Sequence, residues 1–225
     1  HTEYIGIRYD SKPNPMQISD CKNSYGMDRN KYVSYLVGQD NFYRMLRIII
    51  DKGIKKPGKH LYYVGTNEAI LVIRDWIYEN YPELRGEVGI YTTLIPNEFK
   101  REQLDKTIIL STTKSAGAAV DIPGLVETVV LAEPFKSKVL AQQSFGRTRA
   151  SNTTYKDLVD TGFYFTKKFY DQKRPVFQKY ATECKEVVIR DEELRKRSDD
   201  IIDKRSRLSQ PAVFFDREQM ATLVD

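Results

Sequence analysis

The segment Gln142-Gln143-Ser144-Phe145-Gly146-Arg147-Thr148-Arg149 sets two guanidiniums, one residue apart, beside a glycine. Arginine stays charged and meets phosphate oxygens with a planar fork of N–H donors, so this pair suits neutralisation of charge on a transferred phosphoryl group. A surface arginine pair making rim salt bridges would look the same at this level. A second segment, from Ser111 through Thr112-Thr113-Lys114-Ser115-Ala116-Gly117-Ala118-Ala119-Val120-Asp121 to Leu125, is dense in small and hydroxylated residues. Its backbone N–H groups and hydroxyls can approach a phosphate closely, Gly117 permits a conformation closed to other residues, and Asp121 can accept hydrogen bonds from sugar hydroxyls. An ordinary strand-to-helix connection fits the loop equally well.

Two other segments imitate chemistry. Gly53-Ile54-Lys55-Lys56-Pro57-Gly58-Lys59-His60 follows the P-loop pattern as far as its last position, where His60 replaces the hydroxyl that would bind Mg²⁺. It ends a predicted helix and enters a predicted strand, the reverse of the context in which a helix N-terminus faces phosphate, and reads as a turn. Val187-Val188-Ile189-Arg190-Asp191-Glu192 imitates a strand ending in an acidic metal-holding pair, but a capped helix beginning near Asp191 is the better account.

The elements that must position these residues form an α/β pattern. Runs of β-branched and aromatic residues at 4–9, 61–64, 88–92, 107–111, 128–131 and 163–166 predict strands, and most lack the alternation of half-exposed strands. Between them, Phe42, Met45, Leu46 and Ile49 mark a helix over 40–52, with Asp40 placed to cap it and Gly53 to end it. Ile70, Ile73, Trp76 and Ile77 mark another over 67–81. Alternating strands and helices imply a parallel sheet covered on both faces, with ligands beyond the carboxyl ends of its strands. Beyond about residue 171 the composition turns strongly charged, and 171–225 is expected to be a helical appendage to a domain spanning 1–170.

Composition narrows the classes. The chain has 225 residues, 40% hydrophobic and 30% charged, and a net charge of +5, enough for one sizeable core and compatible with an anionic partner. Cys21 and Cys184 stand far apart and the only histidines are His1 and His60, which argues against a disulfide framework, a zinc site or a histidine triad, so no metal ligands are assigned. No apolar run reaches the roughly 18–20 residues that span a bilayer, and no signal peptide is visible; a cytoplasmic location without membrane association is expected.

Taken in order, the hydroxyl-rich loop with its aspartate, a strand and the Gln-x-x-Gly-Arg segment resemble motifs V and VI of superfamily 2 helicases. Ser111 to Asp121 resembles motif V, Gln143-Ser144-Phe145-Gly146-Arg147 resembles motif VI, and Leu61-Tyr62-Tyr63-Val64-Gly65-Thr66 resembles motif IV. The resemblance covers about residues 59 to 150, its general pattern is like bacteriophage helicases, and a phage-encoded chain would act in the host cytoplasm. It implies a RecA-like domain, the second of a pair. Arg147 and Arg149 would be arginine fingers, Gln143, Gly117 and Asp121 would contact nucleotide, and Thr66, Thr112, Thr113 and Lys114 would hold a nucleic-acid backbone, DNA rather than RNA. Arg149 stands one residue earlier than the second arginine of the family pattern, whose place Ala150 takes. ATP and Mg²⁺ would be held with an N-terminal RecA-like domain that carries the P-loop and acidic motif. This chain alone is then expected to bind neither and to be inactive. Two other readings remain: a regulatory or nucleic-acid-binding module of the same fold without ATP turnover, and an unrelated α/β enzyme, such as a nucleotide-sugar transferase, using the 112–121 loop for phosphate.

Overall fold

The computed structural model describes residues 1–116, 120–148 and 152–209. The chain enters with β1 (Thr2–Tyr9), makes a short excursion through α1 (Pro15–Asp20) and the hairpin β2 (Lys22–Asn23) and β3 (Gly26–Met27), then returns through α2 (Arg29–Leu36) and α3 (Asp40–Gly53). Alternation follows: β4 (Lys59–Val64), α4 (Asn67–Asn80), β5 (Val88–Tyr91), α5 (Asn97–Gln103), β6 (Ile108–Ser111), α6 (Thr113–Ala116), β7 (Leu125–Ala132), α7 (Lys138–Phe145) and β8 (Thr153–Asp160). The described part ends with α8 (Tyr164–Tyr180), β9 (Glu183–Val188) and α9 (Asp191–Ser209). Seven strands form one sheet in the order β5-β6-β4-β7-β8-β1-β9, and every pairing within it is parallel.

Strand side chains alternate between two apolar layers, because successive residues point to opposite faces. Tyr62, Val64, Ile108, Leu110, Val129 and Leu131 pack under α2, α3 and α4. Leu61, Tyr63, Ile109, Val130, Tyr155 and Val159 face the other way, against Ala116, Ala141, Phe145, Tyr170 and Phe177. The stripe predicted for α4 is as expected: Ile70, Ile73 and Ile77 are fully buried, while Trp76 packs at its margin and stacks on Tyr43. In α3 the cap position belongs to Gln39, whose side chain makes no capping bond; Asp40 is instead the first helical residue, where its charge still favours the helix N-terminus.

Three elements depart from the sequence expectation. Residues 163–166 are not a strand: Phe163 occupies the cap position of α8, and the Thr166 hydroxyl donates to its carbonyl at 2.8 Å. The strand lies just before, as β8, hidden from pattern reading by Lys156 and Asp157 within its run. Both charges are buried in ion pairs, Lys156 with Glu127 and Asp157 with Lys173 at 3.1 Å. Residues 183–188 form a true strand on the edge beside β1, and the helix expected near Asp191 follows it. The boundary expected between 170 and 171 falls inside α8. Beyond it the chain adds β9 to the same sheet, and charged α9 buries Leu194 in the layer that contains α3.

The segment 53–60 is a turn at the amino ends of the strands, where His60 Nδ1 lies 3.3 Å from Glu127 Oε1 and Lys156 Nζ donates to Glu127 Oε2 at 2.5 Å. Burial pushes the Glu127 carboxyl up, but His60 and Lys156 outweigh it and hold the group below its ordinary 4.5. A depressed carboxyl stabilises the fold fully above its unfolded value and loses that contribution as pH falls through the folded value. Glu127→Gln is therefore expected to lower the melting temperature by roughly 5–12 °C at pH 6, from about 2–4 kcal/mol for an orphaned buried partner. The gap from wild type should shrink below about pH 4.5; thermal melts followed by circular dichroism check this, and a gap constant down to pH 3 would show that Glu127 is not the ionised partner.

Candidate functional site

The carboxyl ends of β4, β5 and β6 open onto a cleft of about 310 Å³ lined by Arg29, Asn30, Gly65 to Glu68, Thr93, Thr112, Lys114 and Ser115. Three predicted positions, Thr66, Thr112 and Lys114, thus meet on one surface although Thr66 stands far from the other two in sequence. Thr66 caps α4, its hydroxyl accepting from the Ala69 N–H at 3.2 Å, so the start of a 14-residue helix faces the cleft. A helix start presents unpaired N–H groups and a partial positive charge, both favourable to an anion. Thr112 closes the start of α6 similarly: its Oγ1 accepts from the Ser115 N–H at 3.1 Å and lies 3.0 Å from the Ser115 hydroxyl. Lys114 is exposed at the cleft wall, and the Asn67 amide reaches the Thr93 hydroxyl across the floor at 3.4 Å.

Thr113 takes another place. Only 3% exposed, it lies beneath the cleft, and its backbone N–H donates to Glu133 Oε2 at 3.0 Å. Glu133 follows β7 and is itself buried, and its other carboxylate oxygen pairs with the Arg29 guanidinium. Burial lowers the Arg29 pKa, which leaves an arginine still protonated near neutrality. Glu133 therefore fixes both the α6 turn and an arginine of the cleft wall. Gly65 is the close approach that allows this: a Cβ there would stand 2.8 Å from Val33 Cγ2 and 3.1 Å from the Ala132 carbonyl, forcing α2 away from β4.

Asp160 anchors α2 from below. It accepts from the Ser11 N–H and hydroxyl at 2.9 and 2.6 Å, the Tyr32 hydroxyl at 3.1 Å and the Gly162 N–H at 2.9 Å. Burial raises its pKa and these donors pull it partly back. Arg29, Asn30 and Glu133 were not singled out from the sequence. They lie outside the hydroxyl-rich loop, and no local spacing links an arginine at position 29 to a glutamate at 133.

The second group of predicted residues lies at the other end of the 112–121 connection. Arg147, half-buried in a 3₁₀ turn (Gly146–Thr148) after α7, donates from Nη1 to the Val120 carbonyl at 2.8 Å. Asp121 is exposed beside that carbonyl, and Gln143 is exposed on α7 about one turn before Arg147. Arg147 also lies near Tyr63, whose buried hydroxyl is pushed up by desolvation and eased back by the guanidinium charge. The structure thus brings the motif V-like and motif VI-like segments into contact, with the Arg147–Val120 hydrogen bond among the links. Gly117 and Arg149 lie outside the described residues.

If Glu133 organises the cleft, Glu133→Gln keeps an acceptor for the Thr113 N–H but removes the charge that holds Arg29. The expected loss of stability is about 1–2 kcal/mol, moderated because the Arg29 side chain is partly exposed. If the cleft also holds a nucleic-acid strand, affinity for a single-stranded oligonucleotide should fall by roughly 3- to 10-fold, as one charge-assisted contact loses its alignment. Melting curves with fluorescence anisotropy titrations check both; unchanged affinity in a destabilised variant would limit Glu133 to a structural part.

Among the described residues no helix is long and apolar enough to cross a membrane. No family model and no curated protein matches the sequence. Solved structures do share the fold. T4 UvsW matches with a TM-score of 0.60 at 12% identity, over 84% of this chain and 41% of that one. S. cerevisiae Dbp5, in a structure bound to RNA and ADP BeF3, matches with a TM-score of 0.53 at 13% identity, over 90% of this chain and 44% of that one. The E. coli DEAD-box protein SrmB, bound to regulator of ribonuclease activity A, matches with a TM-score of 0.52 at 16% identity, over 84% of this chain and 91% of that one. The chain spans less than half the length of the UvsW and Dbp5 chains. With its seven-stranded parallel sheet between two layers of helices, the chain has a RecA-like α/β fold, shared with these structures.

Proposed function

We propose that this chain is the second RecA-like domain of an ATP-dependent superfamily 2 helicase or translocase, one that grips a nucleic-acid backbone, preferentially DNA, and lends Arg147 to an ATP site completed by an N-terminal domain. The observation that carries the reading is the meeting of Thr66, Thr112, Lys114 and Arg29 on one cleft, joined through the 112–121 connection to Arg147.

Backbone phosphates lying in this cleft would meet the α4 start, the Asn30 and Asn67 amides and the charges of Lys114 and Arg29. Contacts to phosphate position a strand without reading its sequence, as a motor that must pass every sequence requires. At the other end, the residues present fit one side of a nucleoside triphosphate. Arg147 carries a permanent positive charge on a turn tied to the Val120 carbonyl, Asp121 offers an exposed carboxylate for ribose hydroxyls, and Gln143 stands one turn away. ATP with Mg²⁺, held by the N-terminal domain, would supply the free energy of phosphoryl transfer. This chain's part is to place the Arg147 guanidinium where negative charge grows on the transferred group.

In the full-length protein, Arg147→Ala is expected to lower nucleic-acid-stimulated ATP hydrolysis by about 10³-fold or more, with nucleic-acid affinity changed less than about 3-fold because the cleft lies apart. A phosphate-release assay beside binding titrations checks this, and turnover retained at near wild-type rate would remove the arginine-finger role. Lys114→Ala and Arg29→Ala should each weaken binding to all sequences alike and reduce the salt dependence of log K by about one. Titrations of matched DNA and RNA strands at several salt concentrations test that and the preference for DNA together. Slopes unchanged in both variants would mean that the phosphates lie elsewhere.

A further inference from the structure

The excursion between β1 and α2 is rooted in the sheet's first apolar layer through Cys21, and its hairpin ends in an exposed aromatic. Lys22 pairs with Met27 and Asn23 with Gly26, so the hairpin turns over Ser24 and Tyr25. The turn is fixed by its own chemistry: the Asn23 side chain accepts from the Tyr25 N–H at 2.9 Å, and Gly26 takes a φ of +125°, which a residue with a Cβ rarely adopts. The base is fixed too, by the Asp28 N–H donating to the Cys21 carbonyl at 2.8 Å and by burial of Cys21 in the sheet's first apolar layer. Tyr25 nevertheless remains 100% exposed at the tip. The hairpin runs directly into α2, whose first residues, Arg29 and Asn30, line the cleft. Arg29 follows Tyr25 by four residue steps, so their Cα atoms are at most about 14 Å apart.

An aromatic on a fixed stalk beside a groove for phosphates has the geometry of a base-stacking platform. Charges of both signs surround the stalk, with Lys22 and Lys31 beside Asp20 and Asp28, so attraction to phosphate at the hairpin itself is weak and its contribution is that of the ring. We propose that Tyr25 stacks on a nucleobase of the strand whose phosphates occupy the Arg29–Lys114 cleft, making the hairpin a base-contacting arm of that interface. The inference rests on the cleft reading above. Stacking tolerates any base, since every base offers a π face, and so suits a surface that tracks a strand without sequence preference.

The test uses the 225-residue chain and short single-stranded DNA and RNA oligonucleotides carrying 2-aminopurine at successive positions. Tyr25→Ala is expected to weaken binding roughly 5- to 100-fold, the worth of one stacked base. The salt dependence and the melting temperature should stay unchanged, because no charge and no packed group is lost. Tyr25→Phe should bind within about 2-fold of wild type, since the ring is kept. Wild type should perturb 2-aminopurine fluorescence at one position, and Tyr25→Ala should abolish that signal. If Tyr25→Ala binds like wild type while Lys114→Ala is weakened, the hairpin inference fails and the cleft reading survives. If wild type binds neither oligonucleotide, both fail. A concentration-dependent self-association lost in Tyr25→Ala, with oligonucleotide binding intact, would make the tip a contact between copies of this chain and would also overturn the inference.

Discussion

The buried carboxylate of Glu133 ties together three pieces of chain that lie far apart in sequence. It stands at the end of β7, takes the Thr113 N–H at the start of α6 and pairs with Arg29 at the start of α2. A buried anion is costly unless hydrogen-bonded and paired, and here both demands are met by residues of the cleft wall. The cost of leaving it unmatched is what makes this arrangement specific. If α2 slid along the sheet or the α6 turn opened, a charge would be stranded away from water. Gly65 and Asp160 serve the same end, one by letting α2 approach β4 and the other by holding Tyr32 and the loop after β1.

The sheet order gives this cluster its place. With β4 and β7 adjacent and β6 on the far side of β4, the turns after these strands are forced into one neighbourhood, and α2 crosses above them. The charges buried within the strands sit elsewhere. Lys156 with Glu127 and His60 lies toward the amino ends of β4 and β7, while Asp157 with Lys173 faces the layer of α8, where Lys173 also lies 4.1 Å from the centre of the Phe135 ring. Such pairs add little net stability over apolar packing. They do penalise any slip of one strand past another, because a slip would separate the partners. Parallel strands have no tight turns to set their register, and in this sheet the ion pairs constrain it.

The two ends of the 112–121 connection differ in character. The cleft end is polar and open, built from a helix start, hydroxyls and two cations. The Arg147 end is packed against the aromatic layer around Tyr63 and Phe145 and tied to a backbone carbonyl. One short stretch of chain therefore joins a surface suited to a polyanion with an arginine whose position depends on core packing.

The sequence by itself determined the elements whose signal is local. Periodicity in α3 and α4, the apolar runs of β4, β6 and β7 and the composition of the 112–121 loop each follow from neighbours within a turn or two, and they sufficed for the α/β class. Asp40 and residues 163–166 were misread where composition outweighed geometry: an acidic residue before a helix can be its first turn rather than its cap, and β-branched and aromatic residues can begin a helix as well as form a strand. The tertiary structure alone decided the rest. Lys156 and Asp157 are compatible with a buried strand only because partners 29 and 16 residues away, Glu127 and Lys173, neutralise them. β9 is a strand because β1 is available beside it, and Thr113 lies below the cleft because Glu133 draws its backbone inward. Arg29 and Glu133 could be joined only by folding, since the free energy of a buried ion pair depends on distance in space and on exclusion of water, and neither is written in the spacing of residues along a chain.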